Sequence, residues 1–297
     1  METRRLGPLT VSVVGLGGNN FGRRIDAAAT KAVVDAALGA GVTFFDTADV
    51  YGEGESETLI AQALGDRRDA VVVATKFGKP MGDGEERRGR REYLRRALDA
   101  SLGRLRTDHV DLLQHHEEDT ETPLEETVGA LDELVQEGKI LAYGSSNYRP
   151  ERIERVAALA RGPYVSEQSQ YSWLVRKAER ELLPTCERLG LGFIPYFPLA
   201  SGLLTGKYRR DEPAPEGTRL EGREISDGEY DRVEALETFA RERGVTLLDV
   251  AIGGLAAVAP VVSVIAGATR PEQVRANAAA AAWSPSEEDL EALRATV

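Results

Sequence analysis

Short runs of apolar, β-branched residues recur from one end of this chain to the other, with a helical pattern after each. No other feature limits the fold as much. Strands are predicted at SVVGLG (12–17), VTFFDT (42–47), AVVVATK (70–76), HVDLLQ (109–114), KILAYGSS (139–146), YVSEQS (164–169), LGFIPYF (191–197) and VVSVIAG (261–267). Helical stretches between and after them include 27–41, 56–65, 91–105, 124–138, 150–161, 178–190 and 270–282, and several start after Thr, Ser or Pro and stop at Gly, as capping chemistry expects. Strand and helix in strict alternation imply a parallel sheet. Eight such units in 297 residues point to an α/β chain closed as a (β/α)8 TIM barrel. RRLGPLTVS (4–12) is predicted to form an N-terminal β-hairpin around Gly7-Pro8. We see no domain boundary, so residues 1–297 are expected to form a single barrel domain.

Two long polar segments interrupt the pattern, 78–90 and 209–230. Both follow strands, which would put them on the face where such barrels keep their active sites. Loops of that length inside a compact domain are usually functional or mobile.

Composition excludes several classes of function. The net charge is −12 and the isoelectric point is about 5.0. This disfavours nonspecific binding to nucleic acid or acidic membrane, while leaving room for a local basic pocket for phosphate. The first ten residues lack an apolar core, so no signal peptide is expected, and no apolar run is long enough for a membrane span. Cys186 is the one cysteine, which suits a reducing cytoplasm; in its helical run an inert thiol is expected. Three histidines and no HExxH pattern argue against a metal site. Ser145 and Ser146 lack the nucleophile-elbow pattern of a hydrolase.

Two glycine-rich stretches imitate nucleotide motifs. VVGLGGNNFG (13–22) has Asn20 where a Rossmann fingerprint has its third glycine, and the next helical pattern starts only near Ala27. GLLTGKY (202–208) has three residues between its glycines where a P-loop has four, and Tyr208 follows its lysine. Neither motif holds.

The informative residues sit at the ends of different strands. Asp46 ends one strand, with Tyr51 five residues later; Lys76 ends the next; His115 and His116 end a third. Each alone has an ordinary explanation as a cap, a surface group or a core imidazole. Together, on one rim of a barrel, they suit acid–base chemistry. A phenol with a pKa of about 10 is a poor acid at neutral pH, and a nearby ammonium is expected to lower that value. A carboxylate would keep the ammonium charged. Such a set carries no redox electrons, so hydride transfer would need a cofactor.

With these residues in hand, the chain resembles the aldo-keto reductase family nearly end to end. The resemblance is carried by GLGGNNFG, FFDTADVYGEGESE, ATKFG, DHVDLLQHH, GKILAYGSSNY, QSQYSWLVR, PYFPLASGLLTGKY and GATRPEQVRANAAA. It implies reduction of an aldehyde or ketone to an alcohol, with Tyr51 as proton donor, Lys76 and Asp46 as its activating pair and His116 orienting the substrate. His116 is preferred to His115 because it lies five residues beyond Asp111, the family spacing. The resemblance also implies NADP(H), bound without a Rossmann fold along the barrel rim. Ser146, Asn147 and Gln168 would hold the carboxamide, and Tyr196 would stack on the nicotinamide. Pro198, Leu199, Ser201, Gly202 and Leu203 would line the pyrophosphate, with Lys207 and Arg219 supplying charge. Gly267, Thr269, Arg270, Gln273 and Asn277 would surround the 2′-phosphate and adenine. Gly18 and Asn19 would lie by the nicotinamide ribose. Many relatives have Lys-Ser at Gly267-Ala268 and Glu at Ala276, so the preference for NADPH over NADH rests on Lys207, Arg219 and Arg270.

Phe21, Asn20, Phe77 and Trp173 are candidates for the substrate wall beside Tyr51. The chain stops soon after its last expected helix, 270–282, so a more open pocket is expected than in relatives with a long tail. The GKY segment and the Arg after it are similar to voltage-gated potassium channel beta subunits. That gives an alternative reading, a cofactor-binding, redox-sensing regulatory subunit. The complete set of four residues and the absence of an N-terminal arm rank it lower.

Overall fold

A computed structural model describes residues 1–82, 84 and 88–297. Two short strands, β1 (Thr3–Leu6) and β2 (Leu9–Ser12), pair antiparallel as the expected hairpin. The barrel strands follow: β3 (Val14–Gly17), β4 (Phe44–Asp46), β5 (Val72–Phe77), β6 (Val110–His115), β7 (Ile140–Ser146), β8 (Tyr164–Gln170), β9 (Gly192–Tyr196) and β10 (Val264–Gly267). They close a parallel barrel in the order β10-β3-β4-β5-β6-β7-β8-β9.

Helices α1 (Ala27–Gly39), α2 (Glu55–Leu64), α3 (Arg91–Leu105), α4 (Leu124–Gln136), α5 (Pro150–Leu159) and α6 (Leu182–Leu189) connect the strands through β9. Two helices, α7 (Asp227–Glu242) and α8 (Leu247–Ala256), lie between β9 and β10, and α9 (Pro271–Ala280) and α10 (Glu287–Thr296) follow β10. Local chemistry fixes the ends. The Ser226 hydroxyl pairs with the carboxylate of Glu229, whose Oε2 also accepts from the Ser226 amide at the start of α7. The same reciprocal cap opens α8 with Thr246 and Asp249, and α10 with Ser286 and Asp289. Each cap occupies amides that the first helical turn would leave unpaired. The segment expected as loop at 209–230 therefore gives way to helix at Asp227, and the chain adds α10 beyond the helix expected to be its last. Of the other long segment, 78–90, residues 83 and 85–87 lie outside the described residues.

Burial follows two layers. Inside the barrel, Leu6, Leu9 and Val11 of the hairpin pack with Phe44, Ala74, Leu112, Ala142, Val165, Ile194 and Ile265. The hairpin thus plugs one end with side chains, and the open end is the one where the strands finish. Outside, the other face of each strand packs on the helices: Phe45, Val73, Leu113, Tyr143 and Phe193 meet Val33, Leu94, Leu131, Ile153 and Ile252. Strands covered on both faces read as continuous apolar runs, which is why they were visible in the sequence.

Candidate active site

Alternation along a strand sends neighbouring side chains to opposite faces, and this sorts the residues at the strand ends. Lys76, at the end of β5, is fully buried, and its Nζ donates to Asp46 Oδ2 at 2.7 Å and to the Thr47 carbonyl at 2.8 Å. Asp46 Oδ1 accepts from Gln168 Nε2 at 2.8 Å and from Gln114 Nε2 at 3.3 Å. Every lone-pair direction of this carboxylate that matters is occupied, which orients it toward the ammonium. Burial is the largest influence on Lys76 and works against its charge. Asp46 and Tyr51 outweigh it and leave the amine above the ordinary lysine range.

Tyr51 follows β4 in a tight turn, residues 51–54, in which Gly52 and Glu53 take left-handed backbone. The Lys76 ammonium lies 5.2 Å from the Tyr51 ring centroid. The His116 ring stands edge-on to it at 5.8 Å. The expected acidification of this phenol does not occur. Burial raises the Tyr51 pKa above 10.0, and the opposing pull of Lys76 is smaller. A phenolate in so enclosed a site loses more hydration than one ammonium, itself committed to Asp46, restores.

The two histidines separate cleanly. His116 lines the cavity; burial, with help from Lys76, Lys79 and His115, lowers its pKa to about 2, so it is neutral. His115 points away into the wall. Its ring stacks flat on Phe77 at 4.7 Å, Nδ1 meets the Tyr148 hydroxyl at 2.6 Å, and burial lowers its pKa to about 3. Asp111 is tied to Arg68 and to the Val73 amide, both at 2.8 Å.

Asp46, Tyr51, His116 and Gln168 face one cavity of about 900 Å³ at the strand ends. Its wall includes Asp46, Tyr51 and His116, then Ser146, Asn147, Gln168 and Tyr196, then Pro198, Leu199, Ser201, Gly202, Lys207 and Arg219. Asn19, Gly267, Thr269, Arg270, Gln273 and Asn277 complete it among the sequence candidates. Asn147 is a hinge of this wall: its Nδ2 donates to the His116 carbonyl at 3.0 Å and its Oδ1 accepts from the Tyr196 hydroxyl at 2.8 Å. Ser201 and Gly202 have left-handed backbone, with φ of 60° and 97°. A side chain at Gly202 would come within 2.8 Å of Lys207 Nζ, so the glycine makes space for that ammonium.

Three candidates stand off the cavity. Lys76 lies beneath it. Leu203 is buried in the outer core. Gly18 is buried too: its amide donates to the Asp46 carbonyl at 2.8 Å, its carbonyl accepts from Ser56 at 2.9 Å, and a side chain there would meet Ser56 Oγ at 2.7 Å. Close packing against α2, not approach to a ligand, explains that glycine. Of the expected substrate wall, Tyr51 and Asn20 line the cavity, whereas Phe21, Phe77 and Trp173 are core side chains, each exposed by 1% or less. Trp173 donates its indole N–H to the Val250 carbonyl at 2.8 Å.

The wall also contains residues that the sequence reading passed over: Arg23, Arg24, Lys79, Thr205 and Glu216. The adjacent arginines of FGRRID, straight after the first barrel strand, were the available signal. With Lys207, Arg219 and Arg270, six basic side chains line the cavity against two acidic ones, Asp46 and Glu216. Among the described residues no His, Cys, Asp and Glu cluster could hold a metal, and no helix is long and apolar enough to cross a membrane.

Residues 13–297 match the model of the Aldo/keto reductase family. The chain is 38% identical over 274 residues to the probable voltage-gated potassium channel subunit beta of Oryza sativa subsp. japonica, covering 86% of this chain and 83% of that one. It is 35% identical over 266 residues to the probable aldo-keto reductase 1 of Glycine max (87% and 76%). It is 34% identical over 278 residues to the L-glyceraldehyde 3-phosphate reductase of Escherichia coli strain K12 (87% and 80%).

Proposed function

The chain belongs to the aldo/keto reductase family and is an oxidoreductase, and from that premise we propose that it reduces aldehyde or ketone carbonyls to alcohols with NADP(H). One observation carries the reading: the Tyr51 phenol and a neutral His116 face one cavity above a buried Lys76–Asp46 pair.

The cavity suits the cofactor in size and charge. In a chain of net charge −12, a wall of six cations and two carboxylates favours a polyanion such as a nucleotide diphosphate. Ser146, Asn147 and Gln168 would hold the carboxamide, and Tyr196 the nicotinamide face. Pro198, Leu199, Ser201 and Gly202, with Lys207 and Arg219, would take the pyrophosphate. Gly267, Thr269, Arg270, Gln273 and Asn277 would take the adenosine end and its 2′-phosphate. Asn19 would remain near the ribose.

When bound, the cofactor supplies hydride, which is two electrons and one hydrogen for the carbonyl carbon. The protein does the rest. Tyr51, protonated at neutral pH, gives its proton to the carbonyl oxygen, so that C=O becomes CH–OH. Lys76 stands beside the phenolate this leaves. Asp46 keeps Lys76 charged and aimed. The neutral His116 donates one N–H to the same oxygen and orients it. General acid catalysis of this kind contributes about 10²–10⁴-fold.

The test is consumption of reduced cofactor in the presence of an aldehyde panel, with Tyr51→Phe alongside. The variant should lose at least about 100-fold in turnover while its Kd for NADPH stays within about twofold, since the hydroxyl acts on substrate. Near-parental rates in Tyr51→Phe, or no turnover of any carbonyl by protein with cofactor bound, would defeat the reading.

The likeness to the plant channel subunits favours a second reading, a slow redox-sensing subunit. Tight cofactor retention, turnover of minutes or longer and a co-purifying membrane partner would favour it.

A further inference from the structure

We propose that Lys79 selects substrates carrying an anionic group, a carboxylate or a phosphate, beyond the reacting carbonyl. The proposal rests on the carbonyl-reductase reading above and names the substrate class of that same site.

The position of Lys79 is set by a rigid turn. Gly78 leaves β5 with φ of 104°, and any side chain there would lie 2.5 Å from the His115 ring. The stacked His115–Phe77 pair therefore dictates the turn, and Lys79 leaves it at the wall of the cavity that Tyr51 and His116 also line. Its charge is felt by His116, whose protonation it opposes.

That charge has no internal partner among the described residues. Asp46 is taken by Lys76, Gln168 and Gln114. On the loop after His116, Glu117 faces Arg88 at 3.9 Å, Glu118 pairs with Arg149 at 3.0 Å, and Asp119 accepts from the Gly89 amide and Thr122, both at 2.6 Å. Glu216, the other cavity carboxylate, lies in the segment after β9.

The cofactor does not explain Lys79 either. Around the closed ring, β5 is four strands from β9 in either direction. Lys79 therefore leaves the barrel mouth opposite the segment that carries Lys207 and Arg219. A half-buried cation on the cavity wall near His116, with Asp46, Glu117, Glu118 and Asp119 all engaged, is matched by a negative group on the molecule that Tyr51 protonates. Its ammonium is a compact point donor, suited to a carboxylate or a phosphate alike.

The experiment uses protein loaded with NADP⁺ and three unreactive probes of one shape: benzoate, phenyl phosphate and benzamide. In calorimetric titration the parent should bind at least one of the two anions about tenfold or more tighter than the neutral amide. Whichever anion shows the larger contrast identifies carboxylate or phosphate as the preferred group. Lys79→Met should remove most of that contrast, and Lys79→Arg should keep it. In turnover, the preference for 4-carboxybenzaldehyde or an aldehyde phosphate over its neutral counterpart should fall about tenfold in Lys79→Met, through KM more than kcat. Equal binding of anions and benzamide by the parent would overturn the proposal. So would equal losses for charged and neutral probes in Lys79→Met, or a weakening of NADP⁺ much larger than that of NAD⁺. If the binding contrast follows Lys79 while no carbonyl is reduced, the anion site stands and the reductase reading fails.

Discussion

The Lys76–Asp46 pair gives the sharpest energetic test. Its side chains are 0% and 4% exposed, with Nζ and Oδ2 2.7 Å apart. At that separation the attraction is about 6 kcal/mol with an effective dielectric of about 20, and desolvating each ion costs several kcal/mol. The intact pair is thus close to neutral in its net effect on stability, while a pair broken on one side is not. Asp46→Asn leaves a buried ammonium with the Thr47 carbonyl and no charged partner among the described residues. That stranded charge should cost about 3–5 kcal/mol. Lys76→Met leaves a carboxylate that still accepts from Gln168 and Gln114, so its loss should sit at the lower end of that range. The double variant Asp46→Asn/Lys76→Met strands nothing and should lose less than the two singles combined, by at least about 2 kcal/mol. Urea unfolding at pH 7, followed by circular dichroism, measures all four corners of the cycle. Single losses that sum to the double loss within about 0.5 kcal/mol would show that the charges do not depend on each other, and the account of the site would fail with them.

The remaining predictions concern protons and phosphate. His116, held neutral with a pKa of about 2, should contribute no limb to the pH–rate profile between about pH 5 and 8; a limb near pH 6.5 that His116→Gln abolishes would contradict this. In stability the sign is equally defined: the unfolded chain takes up protons near pH 6.5 that folded His115 and His116 refuse, so unfolding free energy falls as pH drops through that value, and His115→Gln should flatten the slope in urea titrations. Asp49 acts the other way. It is 2% exposed, and burial with the nearby Glu57 raises its pKa to about 7, so between about pH 4 and 7 the folded protein holds a proton that the unfolded chain has lost, and stability declines as pH rises through that window. Asp49→Asn should therefore be more stable than the parent at pH 8, by about 1–3 kcal/mol, with little difference at pH 4; an identical offset at both values would exclude the buried acid as the cause. Arg270→Ala should weaken NADPH about tenfold or more relative to NADH in fluorescence titrations, because an arginine pairs with phosphate through two N–H groups; equal losses would remove Arg270 from the 2′-phosphate.

The barrel was legible because most of its strands carry a short apolar, β-branched core that is covered on both faces, with a helical pattern after each. The helices between β9 and β10 were harder to see. Half of α7 is charged, DGEYDRVEALETFARE, and its first turn continues a polar loop. The α8 segment LLDVAIGGLA carries two glycines that look like breakers. Both are packing residues: a side chain at Gly253 would lie 2.6 Å from the Trp283 carbonyl, and one at Gly254 would lie 3.0 Å from the Trp173 indole nitrogen. Tertiary contact overrides propensity there. At the site, alternation required that only one of His115 and His116 face the cavity, and the spacing from Asp111 in the family resemblance selected His116, which lines it. Phe77 and Trp173 could not be placed in this way, because an aromatic near a rim packs inward or outward according to neighbours far away in sequence, here His115 and Val250. Arg23, Arg24 and Lys79 were missed for the converse reason. Exposed-looking basic residues in loops acquire meaning only when the closed ring turns them toward one cavity.

The raised pKa of Tyr51 changes how its neighbours should be understood. Before reaction the phenol must hold its proton, and burial ensures that it does. An ammonium strong enough to acidify the resting phenol would leave phenolate in the site, with no proton to give. Lys76 is restrained from that by Asp46, which shares its charge at 2.7 Å. Its influence on Tyr51 is therefore felt most once the proton has moved, when a full negative charge stands beside the ammonium and the attraction between them is no longer that of an ion for a neutral ring. In the proposed reaction this is stabilisation of what the proton transfer produces rather than of what precedes it, the kind of interaction that raises kcat instead of merely tightening binding. The carboxylate beneath the lysine keeps the amine charged in a dry site, and it keeps that charge from drawing the proton off Tyr51 before a carbonyl oxygen is there to receive it.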